Sequence, residues 1–271
     1  MTLNKLAFSL LGALALAAPS FAGTAPSAKC SKCVAPVVAP EELLGFTLAV
    51  GYDSTYVFRG VDFGDNWLST SLDYTTGLAD GIRLDLGAEY GHVTDAGFLG
   101  TGDVSFDRLQ LSAQVVADLG GAEVGLGYRY YLNEGELGDI LDDTNEISLS
   151  LASKVSIFNV GVGANYDVDG EGWYFEAAVN TEIVLCDRIS VVPGVNIGYG
   201  VDYTYQLNGA NAAGFGVDGF TAVGGSLAFP IKLSKTATLT PYVGYNLPID
   251  ALDDLGEEEQ LFGGVSLSVK F

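Results

Sequence analysis

From Phe46 to Phe271 the chain alternates apolar and polar residues at period two, about a dozen times over, and after Ala22 it holds no run of eighteen apolar residues. Period-two alternation puts the apolar side chains of a segment on one face of a pleated strand. Without a long apolar run, a membrane-spanning helix is excluded. The pattern predicts strands at 46–58, 67–77, 82–92, 105–118, 122–132, 145–153, 157–167, 172–184, 188–199, 219–232, 237–247 and 259–271. In the third, Ile82, Leu84, Leu86, Ala88 and Tyr90 share one face, and Arg83, Asp85, Gly87 and Glu89 the other. In the ninth, Ile189, Val191, Val195, Ile197 and Tyr199 oppose Ser190, Gly194, Asn196 and Gly198.

Alternation alone fits an exported β-sandwich as well as a barrel, so the connections must decide. Those after even-numbered strands are short: 78–81, 119–121, 154–156, 185–187 and 233–236. Those after odd-numbered strands are mostly long: 59–66, 93–104, 133–144, 200–218 and 248–258, with 168–171 the exception. Short turns on one rim and long loops on the other characterise a bacterial outer-membrane barrel, and each segment is near the 9–11 residues that a tilted strand needs to cross hydrocarbon. The fold class expected is therefore all-β, a transmembrane antiparallel barrel of twelve strands with short periplasmic turns and longer extracellular loops.

Residues 1–22 read as an export signal. Lys5 precedes the apolar stretch Leu6 to Ala18, and Ser20-Phe21-Ala22 offers small residues for cleavage. A periplasmic tail over 23–45 and a barrel over 46–271 complete the expected organisation. At the other end Val265, Leu267, Val269 and Phe271 alternate to a terminal aromatic, which resembles the signal read by the outer-membrane insertion machinery. Tyr52, Tyr56, Phe58, Tyr90, Tyr128, Tyr130, Tyr166, Trp173, Phe175 and Tyr199 lie toward the long-loop ends of their strands, where an aromatic girdle belongs.

The net charge is −22 beside 48% hydrophobic residues. So much apolar content excludes disorder, and the lack of a basic stripe excludes nucleic acid as a partner. The charge is sorted along the chain. Acids fill the long loops, among them Asp62, Asp65, Glu134, Asp142, Asp143, Asp169, Asp202, Asp250 and Glu257 to Glu259, whereas Lys154, Lys232, Lys235 and Lys270 fall on the short-turn side. A negative outer rim concentrates cations by field focusing, and equally suits contact with lipopolysaccharide through bridging divalent ions. On the polar faces of the strands stand Arg59, Arg83, Arg108 and Arg129, with Asp53, Asp73, Asp85, Glu89, Glu123, Glu146, Glu176 and Glu182. These twelve are the candidate pore-lining residues. Charges in such number are costly in a dry interior and tolerable in a wet one.

The run Tyr52-Asp53-Ser54-Thr55-Tyr56-Val57-Phe58-Arg59-Gly60-Val61, followed by Leu72-Asp73-Tyr74, resembles the opening of the TorF-like family of outer-membrane porins. The likeness covers about 25 residues, and Val61 to Asn66 depart from the family's usual Ser-Gln-Thr type run. It implies a porin-type barrel. From the residues themselves, Gly60 suits a turn of unusual φ, and Arg59 is expected to pair with Asp53 or Asp73 across the first hairpin.

No nucleotide loop, zinc signature or catalytic triad is present, and His92, the single histidine, reads as a rim residue at the lipid interface. No enzyme activity, cofactor or metal is expected; Asp167-Val168-Asp169-Gly170-Glu171 offers too few ligands in succession for a calcium loop. Cys30, Cys33 and Cys186 all fall on the periplasmic side, where disulfides form. A bond between any two leaves one thiol over, so a periplasmic partner held through Cys30 or Cys33 is possible. The sequence thus points to a passive channel for small hydrophilic solutes, cationic or neutral, with outer-membrane lipid, lipopolysaccharide and the insertion machinery as partners. A structural or adhesive surface barrel with a closed lumen is the alternative.

Overall fold

A computed structural model describes residues 44–96, 104–207 and 215–271. The expected signal segment, the tail with Cys30 and Cys33, and the centres of two long loops lie outside the described residues. The remainder is one closed antiparallel sheet. Its strands are β1 (Phe46–Phe58), β2 (Val61–Ala79), β3 (Ile82–Ala96), β4 (Val104–Asp118), β5 (Ala122–Glu134) and β6 (Thr144–Val155). They continue with β7 (Phe158–Asp167), β8 (Gly172–Thr181, resumed as Ile183–Cys186), β9 (Ile189–Tyr203), β10 (Val217–Ala228, resumed as Ile231–Lys232), β11 (Ala237–Pro248) and β12 (Gln260–Lys270). β8 is interrupted at Glu182 and β10 at Phe229-Pro230, where proline cannot donate to the ladder. Each resumed piece keeps its strand's place beside β9, so the hydrogen-bonded segments make twelve strands.

Consecutive strands pair throughout, and β1 with β12 closes the ring in the register Thr47↔Lys270 through Asp53↔Gly264. Phe271 seals that seam, donating its N–H to the carbonyl of Phe46 at 2.9 Å and accepting from the N–H of Gly45 at 3.1 Å. Closure leaves no unpaired edge, the condition for a sheet to sit in hydrocarbon. Outward side chains form the apolar belt: Leu48, Val50, Leu72, Leu86, Leu126, Leu149 and Val195 are all exposed on the wall. At its outer border Tyr90 donates to Asp107 (2.5 Å), Tyr245 to Glu259 (2.6 Å) and Tyr52 to Asn66 (2.9 Å). Each ring lies against lipid and hands its hydroxyl to a polar residue above. His92 joins this border with Nδ1 at 2.9 Å from Asp107.

The first hairpin departs from the sequence expectation. The long connection 59–66 is a two-residue turn, Arg59-Gly60, because the ladder runs on through Thr55↔Asp65, Val57↔Asp62 and Phe58↔Val61. The Asp, Gly and Asn of 62–66 read as loop, yet Gly64 (φ 128°) and Asn66 (φ 60°) mark irregularities inside a strand of 19 residues. The register shifts between Thr55 and Val57. A one-residue shift sends later side chains to the other face, so Tyr56 and Phe58 leave the expected girdle and turn into the barrel, at 4% and 0% exposure. A four-residue helix, α1 (Ala251–Asp254), stands in the last outer connection.

Candidate functional site

The lumen divides into an outer plug and a polar chamber beneath it. The plug is centred on the tip of the β1–β2 hairpin. Tyr56, Val57, Phe58, Arg59, Gly60, Val61 and Phe63 are all buried, and their partners come from every side of the ring. Arg59 reaches Glu146 on β6 and Tyr203 on β9. Its carbonyl accepts from the hydroxyls of Tyr174 on β8 (3.4 Å) and Tyr205 after β9 (3.1 Å). The carbonyl of Gly60 accepts from Asn246 Nδ2 on β11 at 2.9 Å. Gly60 is at φ 91°, and a Cβ there would stand 2.6 Å from that of Ala222 and 3.0 Å from Leu252 Cδ1 on α1. Glycine is required both by the turn and by the close seating. Trp67 fills the space inward of the tip, stacked on Tyr56 at 4.0 Å and lying across Gly91, where a Cβ would fall 1.9 Å from the indole.

Two charged knots fasten the plug. In the first, Glu146 is fully buried and takes a bidentate pair from Arg59 (2.5 and 2.9 Å), a bond from Arg129 (3.2 Å) and one from the hydroxyl of Tyr131 (3.3 Å). A carboxylate so surrounded repays its desolvation, and bidentate geometry fixes the direction of the tip. The sequence expectation that Arg59 pairs with Asp53 or Asp73 is thereby corrected. Those acids point into the chamber from the middle of their strands, and the inward bend of the tip carries the guanidinium across the lumen instead. In the second knot, Arg108 on β4 is 2% exposed and, among the described residues, bonds neutral groups: Asn133 Oδ1 (2.9 Å), the hydroxyl of Tyr56 (3.0 Å) and Gln206 Oε1 (2.9 Å). The rings of Tyr56, Phe58, Phe63, Phe106 and Tyr131 stand 4.6–5.8 Å from its guanidinium carbon. Three of those rings belong to the hairpin, so cation–π attraction between wall and tip holds the second side.

Two outer segments complete the plug. Leu137 and Leu141, four residues apart in an otherwise acidic loop, are buried, as are Tyr203, Tyr205 and Leu207. An isolated bridge, Leu141↔Leu207, ties the segments together. The spacing of apolar residues inside an acidic loop was the available sign of inward anchoring. Tyr174, Asn133, Gln206 and Asn246 carried no sign of their own.

Beneath the plug stand the other eight candidate lining residues. Asp53, Asp73, Asp85, Glu89, Glu123, Glu176 and Glu182 are all partly exposed, and Arg83 is the one cation of the twelve candidates outside the plug. Arg83 is held by Asp85 (2.9 Å) and by both oxygens of Glu123 (2.6 and 3.0 Å). Tyr242 donates to Asp53 at 2.6 Å, Gln114 to Ser150 at 2.9 Å and Asn165 to Glu176 at 3.2 Å. The twelve charges that the sequence put in one lumen are thus segregated, with three arginines and Glu146 in the plug and the acids below. Cys186 is exposed at the periplasmic turn, and its expected partners Cys30 and Cys33 lie outside the described residues.

No protein-family model matches the chain, so its likeness to the TorF-like porins rests on the run Tyr52 to Val61 and on Leu72-Asp73-Tyr74. No curated relative matches either. Among solved structures it is similar to the COG4313 outer membrane channel from Pseudomonas putida F1, at 13% identity and a TM-score of 0.57, covering 89% of this chain and 100% of that one. The KdgM porin follows at 10% identity and a TM-score of 0.49, over 83% of this chain and 99% of that one. The NanC porin gives 11% and 0.45, over 83% and 98%. At such identities the likeness speaks for the fold, which is that of integral barrels of the bacterial outer membrane.

Proposed function

We propose that the chain is a porin-like outer-membrane channel for small hydrophilic solutes, cationic or neutral, that rests with its outer mouth plugged. The observation that carries this reading is that the plug is built from a hairpin tip and loop segments laid into a barrel whose wall is continuous without them. A tip held by side-chain bonds can leave. The candidate lining residues beneath, seven carboxylates to the Arg83 guanidinium, outnumber the two lysines Lys232 and Lys270 at the short-turn end and then favour cations over anions. In planar bilayers under a salt gradient, the wild-type barrel is expected to sit at a closed baseline with brief cation-preferring openings. Anion preference would remove the charge argument.

The buried outer mouth also favours a second reading, a surface barrel that never opens and meets lipopolysaccharide or other cells through its acidic loops. Excision of residues 58–61 separates the two: a folded barrel that stays silent without its tip supports the closed reading.

Val265, Leu267, Val269 and Phe271 are proposed as the assembly signal, on the strength of their alternation and of the seam that Phe271 closes. Replacing Phe271 by alanine is expected to leave the ladder intact and lower the amount of heat-modifiable, membrane-inserted barrel severalfold in cells. An unchanged amount would remove the assignment.

A further inference from the structure

The outer connection 249–259 leans on the plug, and it does so with one acid, Glu257, bonded to the backbone of another, Asp62. Leu252 of α1 packs against Gly60 at the tip. Five residues on, Glu257 Oε1 accepts from the backbone N–H of Asp62 at 2.8 Å and from Gln260 Nε2 at 2.9 Å. Asp62 is the second residue beyond the tip, so this contact fixes the base of the hairpin. Asp62 itself turns a carboxylate oxygen to the N–H of Gly64 at 2.7 Å, which leaves two acids side by side over the mouth. The groups facing Glu257 are Asp62 from β2, Tyr205 from the segment after β9, and Glu258 beside it; Asp65 in turn faces Asp62. None of these is basic.

We propose that the 249–259 segment is an acid-tightened latch on the plug: with Glu257 protonated against Asp62 the hairpin tip is held in the outer mouth, and ionisation of Glu257 releases it. The proposal rests on the plugged-channel reading above, since the tip is what the latch holds. Burial pushes the Glu257 carboxyl up to about 7; the N–H of Asp62 restrains the rise, the Asp62 charge adds to it, and Gln260 and Glu258 act in smaller measure. A carboxyl raised in the latched state binds its proton more tightly there than in a released, solvated loop, where the ordinary value is 4.5. The latch therefore has its full support below about 4.5 and loses it as pH rises through about 7. That interval bounds the effect on the latch at on the order of 10²-fold.

Trp67 reports on the tip directly. It and Trp173 are the two tryptophans, and Trp173 faces lipid, so a Trp173→Phe background isolates the indole stacked on Tyr56. Acrylamide quenching of Trp67 is expected to rise between pH 5 and pH 8 with a midpoint near 7, and to stay low at both in Glu257→Gln, which keeps the neutral form. Quenching that ignores pH, or a Glu257→Gln protein that follows the wild type, overturns the latch. Bilayer recordings of the same proteins separate the two ideas. Openings that appear on excision of 58–61 while quenching and conductance are flat in pH leave the channel and sink the latch. Quenching that titrates in a barrel silent under every condition keeps the latch and sinks the channel.

Discussion

Replacing Glu146 by alanine is expected to open the barrel. The side chain is wholly buried and neutralises two guanidiniums, Arg59 at 2.5 Å and Arg129 at 3.2 Å. Its loss leaves both charges in the plug without their carboxylate. Removing one partner of a buried pair costs about 3–5 kcal/mol. The wall keeps its full ladder, so the penalty falls on seating the tip and not on the barrel. Since ~1.4 kcal/mol is a tenfold change in an equilibrium, the closed state is disfavoured by on the order of 10²–10⁴-fold. The measurements are single-channel open probability and the temperature of unfolding by heat modification. The first should rise from rare openings to a largely open trace, and the second should hardly move. Glu146→Gln, which keeps the shape and one acceptor, should open less. A Glu146→Ala barrel that folds and remains shut would show that the ionic knot is not what closes the mouth.

The asymmetry between the parts that sequence reasoning found and those it missed has a physical source. The wall was readable because each strand's face is set by a local period and each strand must reach across the same thickness of hydrocarbon. Hence β1, β3, β4 and β5 begin within a residue of their expected positions. The plug obeys neither constraint. Tyr56 and Phe58 continue the alternation of Tyr52 in sequence, and only the register shift at Thr55/Val57 turns them inward. Whether such a shift occurs depends on the partner strand, 61–66, whose Asp, Gly and Asn look like loop. Arg59 was recognisable as a lumen cation, but its partner stands 87 residues away on β6. No spacing rule reaches that far. The acidic chamber was the more legible part of the site, since Asp73, Asp85 and Glu89 take their direction from the same alternation that made the wall.

The vertical sorting of charge gives the plug a further property. Arg108 has neutral bonds and aromatic rings but, among the described residues, no ion pair. A guanidinium held this way is costly to bury relative to water, so the seated tip stores part of the cost of its own closure. The knot at Glu146 and the packing at Gly60 must offset it. The seated tip thus carries contributions of both signs, the arrangement that the proposed gate requires.

Gly60→Val tests the packing side of that balance without touching a charge. At φ 91° a β-branched residue is strained by roughly 1–3 kcal/mol. The added Cβ alone would stand 2.6 Å from Ala222 and 3.0 Å from Leu252, and two methyls would follow it. Overpacking of this kind costs about 1–3 kcal/mol more. The combined penalty, about 2–6 kcal/mol, is comparable with that of losing Glu146, and the tip can avoid most of it by swinging out of the mouth. The expected result is again a high open probability with an intact wall, now with Arg59 and Glu146 both present. Ala222→Gly in the same chain removes the nearest obstacle, the Cβ of Ala222, and should restore part of the closure while leaving the strain at φ. If Gly60→Val stays shut, the tip is tolerant of volume and the seating inferred from Ala222 and Leu252 is wrong. If it opens and Ala222→Gly recovers nothing, the barrier lies in the turn conformation or against Leu252 and not against Ala222.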